Sequence, residues 1–376
     1  MRTILLCLAT LLVLGGPPAS ADESAYRLTT VAEGLNLPWG LAFLPDGSLL
    51  VTERPGTLRR VAADGTVSAP LAGVPEVYFR GQGGLLDVIL HPAFADNGLV
   101  YLSYAHGGPD ANATRVARAR LTDTGLADLE AVLTVAPTKD TPQHYGGSMA
   151  WLRDGTLLVT TGDGFDYREQ AQDVDGMLGK TLRIGDDGSI PADNPFAAEA
   201  SGSAAEAGGA APVWTWGHRN PQGLAVDPVT GRAYQHEHGP RGGDELNLLK
   251  PGRNYGWPVV THGLDYTGAY VSPFQELPDM EGALTHWVPS IAPSGLAIYR
   301  AEAFPEWQGN LFVGALVNRE VRRLVLENGQ VAAEHAMFGE LGERIRNVKV
   351  GPDGHLYLVT DSEQGRIVRV DRANGG

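Results

Sequence analysis

Cys7 is the only cysteine in 376 residues, so no disulfide can form within the chain, and stability has to come from packing and strand pairing. Basic residues are short as well. There are 29 Lys and Arg against 44 Asp and Glu, and the net charge of -15 argues against nucleic acid or anionic lipid as a partner while saying nothing about fold. Long apolar runs are missing beyond the first residues. The one run present, Ile4 to Leu14, is shorter than the roughly 20 residues a spanning helix needs. It lies between Arg2 and Ala19-Ser20-Ala21, which is the charged, apolar and small-residue order of a secretory signal over residues 1–21. Cleavage is expected before Asp22, leaving residues 22–376 as one domain without a membrane span, in the periplasm or secreted. Sustained helical periodicity is also lacking, because 49 Gly and 25 Pro interrupt the chain too often.

What is present is a returning phrase, a turn followed by an apolar strand. It occurs at 45–52, 96–101, 153–160, 227–234, 307–313 and 351–359, for example Pro45-Asp46-Gly47-Ser48-Leu49-Leu50-Val51-Thr52. Asp-Gly or Asn-Gly between apolar segments is the strongest short hairpin signal, on the expectation that both central residues take positive φ. The spacing slightly exceeds the ~40 to 45 residues of a propeller blade, which longer connecting loops account for. Gly56 to Val61 and Gly365 to Val370 echo one another after such a strand, as outer blade strands would. The expected fold is all-β: a six-bladed β-propeller with four antiparallel strands per blade. A β-sandwich with coincidental turns is the alternative, and six comparable phrases weigh against it. The low-complexity run 197–212 is expected to be a surface loop.

Several segments carry chemistry. Gln82 stands among glycines that let backbone approach a flat ligand closely. His144 precedes one strand phrase and Asp163 follows it, and a histidine oriented by a carboxylate is a competent general base near neutral pH. Arg219 and Asn220 fall at a strand-to-loop edge, where a guanidinium can hold a carboxylate or a developing oxyanion. The turn Glu237-His238-Gly239-Pro240 offers carbonyls, and Asp244 and Glu245 offer carboxylates, both suited to a hard cation. Arg344 and Arg346 have period two, which puts both guanidinium groups on one face of an extended chain, a pairing that suits a polycarboxylate.

GHRNPQG at 217–223, EHGP at 237–240, DELN at 244–247 and NYGWP at 254–258 stand in the order found in the glucose/sorbosone dehydrogenase family, which the chain resembles over nearly its whole length. The resemblance implies a soluble quinoprotein carrying pyrroloquinoline quinone and calcium. Such an enzyme oxidises the C1 hydroxyl of an aldose to the lactone by hydride transfer to the quinone and passes electrons to an external quinone, dye or small redox protein. It implies catalytic roles for His144 as base, Asp163 as its partner and Arg219. Cofactor contacts follow for Gln82, His144, Arg219, Asn220, Tyr266, Arg344 and Arg346. Calcium would sit on the carbonyls of Gly239 and Pro240, and a structural ion on Glu245 and the carbonyl of Tyr255. The chain departs from the family pattern at Val317, where relatives often carry a lysine; Arg319 is expected to substitute. A monomer is expected. Two other classes remain: a calcium-dependent lactonase, which needs carboxylates and an Asn converging on one ion without an arginine cluster, and a non-catalytic binding propeller.

Overall fold

The computed structural model describes residues 26–197 and 211–373. The expected signal segment and most of the 197–212 run lie outside them. The first strand, β1 (Tyr26–Leu35), does not start the first blade. It pairs antiparallel with the last strand of the chain, with Tyr26 opposite Arg372 and Leu35 opposite Gly365. The six blades then follow in chain order. The first holds β2 (Pro38–Phe43), β3 (Leu49–Glu53) and β4 (Thr57–Val61), and the second β5 (Leu85–Leu90), β6 (Leu99–Gly107), β7 (Asn112–Leu121) and β8 (Leu126–Thr134). The third holds β9 (Met149–Trp151), β10 (Leu157–Thr160), β11 (Lys180–Ile184) and β12 (Val213–Trp216), and the fourth β13 (Pro221–Val226), β14 (Ala233–Glu237), β15 (Asp244–Leu249) and β16 (Thr285–Trp287). The fifth has β17 (Pro293–Ile298), β18 (Leu311–Ala315), β19 (Glu320–Glu327) and β20 (Gln330–Met337). The sixth has β21 (Ile345–Val350), β22 (Leu356–Thr360) and β23 (Gly365–Arg372), with β1 as its outer strand.

The first strand of each blade is the innermost, and these six strands touch one another in a closed ring: β2 with β5, β5 with β9, β9 with β13, β13 with β17, β17 with β21 and β21 with β2. The first and last described strands therefore meet in one sheet, and the ring has no open seam. Five sheets have four strands; in the first blade the fourth is reduced to a single bridge between Val61 and Val67.

All six recurring phrases join the innermost strand of a blade to its second. Their chemistry differs from expectation in one respect: only the glycine takes positive φ, 83° at Gly47 for instance, and the preceding aspartate does not. Asp46 accepts the backbone N–H of Ser48 at 2.9 Å instead, and Asp154 accepts that of Thr156 at 2.9 Å, so the turns are closed by side-chain acceptors rather than by two left-handed residues. The strands after these turns are apolar without alternation. Every residue of β3, β10, β18 and β22 is buried, because each of these strands is covered by a blade on either side. The core is accordingly divided into seams. Leu157 and Leu182 pack with Tyr101 and Val116 between the second and third blades, and Leu358 and Val368 pack with Phe312 and Val321 between the fifth and sixth.

Close packing at the inner ring makes one glycine a sharp test. A Cβ on Gly223 would stand 1.9 Å from His236 Nε2, and that ring is fully buried and held to the Gly295 carbonyl oxygen at 3.0 Å. Gly223→Ala is expected to destabilise the fold by about 1 to 3 kcal/mol. A lower urea midpoint checks this; an unchanged midpoint would mean that the His236 ring can yield.

Candidate functional site

The innermost strands all start at the same end of the ring, and the residues just before or at those starts form the site. Trp39 comes from the first blade, Gln82 from the second, His144 from the third, Arg219 and Asn220 from the fourth, Ala292 from the fifth, and Arg344 and Arg346 from the sixth. Two lobes of one basin result. A cavity of about 680 Å³ is lined by Gln82, His144, Arg219, Asn220, Gly239 and Pro240 among others. A neighbouring hollow of about 340 Å³ shares Gln82, His238 and Ala292 with it and adds Trp39, Arg54, Arg344, Arg346 and Asp361. The strand starts are locally irregular. Leu37, His144 and Ala292 take φ of 50°, 51° and 51°, the left-handed region that a side chain rarely adopts. That turn carries His144 into the basin wall just before β9 begins.

His144 Nδ1 lies 2.6 Å from Asp163 Oδ1, which also accepts the backbone N–H of Phe165 at 2.8 Å, and Asp163 Oδ2 accepts Trp257 Nε1–H at 2.7 Å. Every neighbour of this carboxylate is a donor, which suits its ionised form. The proton between the pair therefore belongs to Nδ1, leaving Nε2 as the lone-pair nitrogen of the ring. His144 is 3% exposed, and burial pushes its pKa below the ordinary histidine value. Asp163 opposes that shift, while Arg219 and Lys139 add to it. The result is a neutral imidazole with a fixed tautomer. Its own backbone N–H is held by Gln82 Oε1 at 2.9 Å, so Gln82 orients the loop that carries the base.

Arg219 is equally constrained. Its guanidinium donates to the carbonyl oxygens of Gly239 at 2.6 Å and His238 at 3.2 Å, and it lies 5.3 Å from the ring centroid of Trp257. Asn220 Oδ1 accepts the Gly146 N–H at 3.2 Å, tying the His144 loop to the fourth blade. Tyr266 is 59% exposed and stacks on Phe165 with centroids 6.3 Å apart, forming an aromatic rim over the basin. At the far wall Asp361 accepts from Arg344 Nε at 2.9 Å and pairs with Arg346 at 3.2 Å. Burial works to raise the Asp361 pKa, but the two guanidinium groups outweigh it and hold that carboxyl below the usual range.

The oxygen donors expected to hold cations fall in two places. Gly239 lines the large cavity and its carbonyl already accepts from Arg219, yet a carbonyl has two lone pairs and can take a second partner. Glu245 lies away from the basin. Burial, then Glu237 and Asp244, push its carboxyl up to about 8, and the nearby Asn247 Oδ1 is buried without a partner. Crowded carboxylates beside an orphaned amide oxygen fit an oxygen-ligated cation. Tyr255 stacks its ring on His218 at 4.8 Å, and His218 in turn pairs with Glu237 at 2.8 Å.

His144, Asp163, Arg219, Asn220, Gln82, Tyr266, Arg344 and Arg346 thus meet at one end of the ring. Arg319 does not join them. Its backbone φ of 57° turns it outward, and its guanidinium donates to the Gly342 carbonyl oxygen at 3.2 Å, so it lines neither lobe and the expected substitution fails. Sequence reasoning missed Trp39, Arg54, Gln222, His238, Trp257 and Asp361. His238 donates to Gln222 Oε1 at 2.9 Å, and the same oxygen accepts from Arg346 at 3.3 Å, so the arginine wall is linked to the EHGP turn. A signal for part of this set was present: Pro38-Trp39-Gly40-Leu41-Ala42, Pro221-Gln222-Gly223-Leu224-Ala225 and Pro293-Ser294-Gly295-Leu296-Ala297 are one repeat, placed at the start of three inner strands.

The family model for Glucose / Sorbosone dehydrogenase matches residues 35–369. The aldose sugar dehydrogenase YliI of Escherichia coli (strain K12) is 39% identical over 382 residues, covering 98% of this chain and 97% of its own. A crystal structure of a glucose dehydrogenase superposes with a TM-score of 0.86 at 43% identity, covering 91% of this chain and 99% of its own. The PQQ-bound aldose sugar dehydrogenase of Streptomyces coelicolor superposes with a TM-score of 0.74 at 30% identity, covering 93% of this chain and all of its own, 100%.

Proposed function

The chain belongs to the glucose/sorbosone dehydrogenase family and is a dehydrogenase, and from that premise we propose that it oxidises the C1 hydroxyl of aldose sugars to the lactone with pyrroloquinoline quinone and calcium. One observation carries the reading: a neutral, tautomer-fixed His144 faces the same basin as a wall of arginines. Bound pyrroloquinoline quinone would supply the two-electron acceptor there, and calcium on the carbonyls of Gly239 and Pro240 would polarise it. The protein's own part is proton transfer and aim. His144 Nε2 takes the C1 hydroxyl proton while Asp163 stabilises the imidazolium that results. Arg219 stands where developing negative charge can be met by a guanidinium already held in place by two carbonyls. Gln82 and Asn220 keep the His144 loop in position. Arg344 and Arg346 present donors to a polycarboxylate.

Aromatic residues at the rim, Phe165 and Tyr266, offer apolar faces to a sugar ring entering above the base. The apolar run within residues 1–21 supports export to the periplasm or outside the cell, and no helix among the described residues is long and apolar enough to cross a membrane. Electrons would leave to an external quinone, dye or small redox protein, and the protein would act as a monomer. Glu245 and Tyr255 would hold a second, structural cation behind the fourth blade.

The calcium lactonase reading requires carboxylates free to converge on an ion in the basin. Asp163 is taken by His144 and Trp257, and Asp361 by Arg344 and Arg346. Reconstitution decides between the two. Protein incubated with calcium and pyrroloquinoline quinone is expected to reduce dye in the presence of aldoses. No reduction with any aldose, together with hydrolysis of a sugar lactone, would replace the dehydrogenase reading by the lactonase one.

A further inference from the structure

The arginine wall holds more positive charge than its own carboxylate neutralises. Among the residues lining the smaller lobe there are three guanidinium groups, from Arg54, Arg344 and Arg346, and one carboxylate, Asp361. Asp361 is shared between Arg344 and Arg346. Arg54 has neither a hydrogen bond nor an ion pair to any described side chain, and its Nε is buried without a partner. Its guanidinium carbon lies 5.4 Å from the Phe79 ring centroid.

The backbone of Arg54 is fixed all the same. It follows β3 directly, its N–H donates to the Leu37 carbonyl oxygen at 3.0 Å, and its own carbonyl accepts the Leu85 N–H at 2.9 Å, so it is clamped between the first two blades. Gly84 makes room for it, since a Cβ there would stand 2.8 Å from Arg54 Cγ. A long cation has thus been given a rigid base, an aromatic wall and space, but no counterion. Burial lowers the Arg346 pKa, and the like charges of Arg54 and Arg344 add to that, which marks a cluster awaiting an anion. Val317, the departure from the family pattern, lines the same lobe with an apolar side chain that is 59% exposed and brings no donor.

We propose that Arg54 is the third carboxylate-binding cation of the cofactor site, taking the part that Arg319 and a lysine at position 317 do not. The inference rests on the pyrroloquinoline quinone reading given above. A tricarboxylate then meets three guanidinium groups, two braced by Asp361 and one held between blades, and the unpaired Nε of Arg54 gains an acceptor.

The test is cofactor binding in calcium buffer without sugar, followed by quenching of tryptophan fluorescence as pyrroloquinoline quinone is added. Arg54→Gln is expected to raise Kd roughly ten- to a hundredfold, the span of one charge-assisted hydrogen bond. Arg319→Gln should leave it unchanged. Arg54→Lys keeps the charge and loses the fork, so an intermediate Kd is expected, and it serves as the second folded variant should the glutamine protein not fold. Esterifying the cofactor's carboxylates should weaken binding to the parent protein more than to Arg54→Gln. Parent protein that binds cofactor while both Arg54 variants bind equally well would overturn the Arg54 assignment alone. Parent protein that takes up no pyrroloquinoline quinone overturns the cofactor reading and this inference with it.

Discussion

His144→Ala is expected to lose roughly 10²- to 10⁴-fold in aldose-dependent dye reduction while taking up pyrroloquinoline quinone nearly as well as the parent protein. The loss falls on turnover because the imidazole lines the large cavity and has its Nδ1 proton held by a carboxylate, whereas His238, the other histidine lining that cavity, is held by the amide oxygen of Gln222. Cofactor uptake should survive for a structural reason. The contact that places this loop runs through the His144 backbone N–H to Gln82 Oε1, and alanine keeps it. Asp163 would still receive Trp257 Nε1–H and the Phe165 N–H, so removing the ring leaves its carboxylate partnered. The φ of 51° at position 144 puts alanine in a conformation that costs about 1 to 2 kcal/mol. His144→Asn separates this strain from the chemistry, because asparagine tolerates the left-handed region better. Equal losses in the two variants, with matched melting temperatures, assign the effect to the missing base. Near-normal turnover by His144→Ala at saturating cofactor and calcium would mean that the proton leaves by another group, with Asp163 the next to test.

The architecture was legible because turn chemistry repeats: each of the six Asp-Gly, Asn-Gly, Thr-Gly or Gln-Gly phrases proved to be the link from an inner strand to its neighbour. Which strand closes the ring was not legible, since β1 pairs with a strand more than 300 residues away and leaves no local pattern. The same division holds in the site. His144, Asp163, Arg219 and the Arg344–Arg346 pair sit in short segments whose residue types announce their chemistry. Arg54 gave no such signal, because its role depends on Leu37, Leu85 and Gly84 from two blades and on a counterion that is absent from its surroundings. Arg319 was misjudged for the converse reason. Closeness in sequence to Val317 does not carry the Arg319 side chain into the basin when Arg319 itself takes φ of 57° and its guanidinium is held by the Gly342 carbonyl. Asp361 shows how much chain separation matters: it follows β22 and still brackets two arginines that flank the start of β21.

Asp163→Asn tests whether orientation, rather than the mere presence of an imidazole, makes the base. An amide at this position is nearly the same shape but has one oxygen where Asp163 uses two: with that oxygen toward Trp257 Nε1–H, its NH2 group faces His144 Nδ1 and the Phe165 N–H loses its acceptor. What is lost is the negative charge that keeps the proton on Nδ1. The neutral ring is then free to carry its proton on Nε2, where it cannot accept one from the sugar, and the imidazolium formed during turnover has no counter-charge. A fall of roughly 10²- to 10⁴-fold in kcat is expected, close to the loss for His144→Ala, and the double variant should fall little further because the two groups act as a unit. The pH profile gives the sign independently. In the parent protein burial is the largest influence and lowers the His144 pKa, so the acid limb of kcat/KM should lie below the ordinary histidine value of 6.5. Asp163 is the influence that raises it, whereas Arg219 and Lys139 lower it further. Removing the carboxylate must therefore move the acid limb to still lower pH while the plateau drops. An acid limb that moves upward, or a plateau that stays at the parent level, would show that Asp163 serves only to hold the turn in place and that His144 does not need it to remain an acceptor.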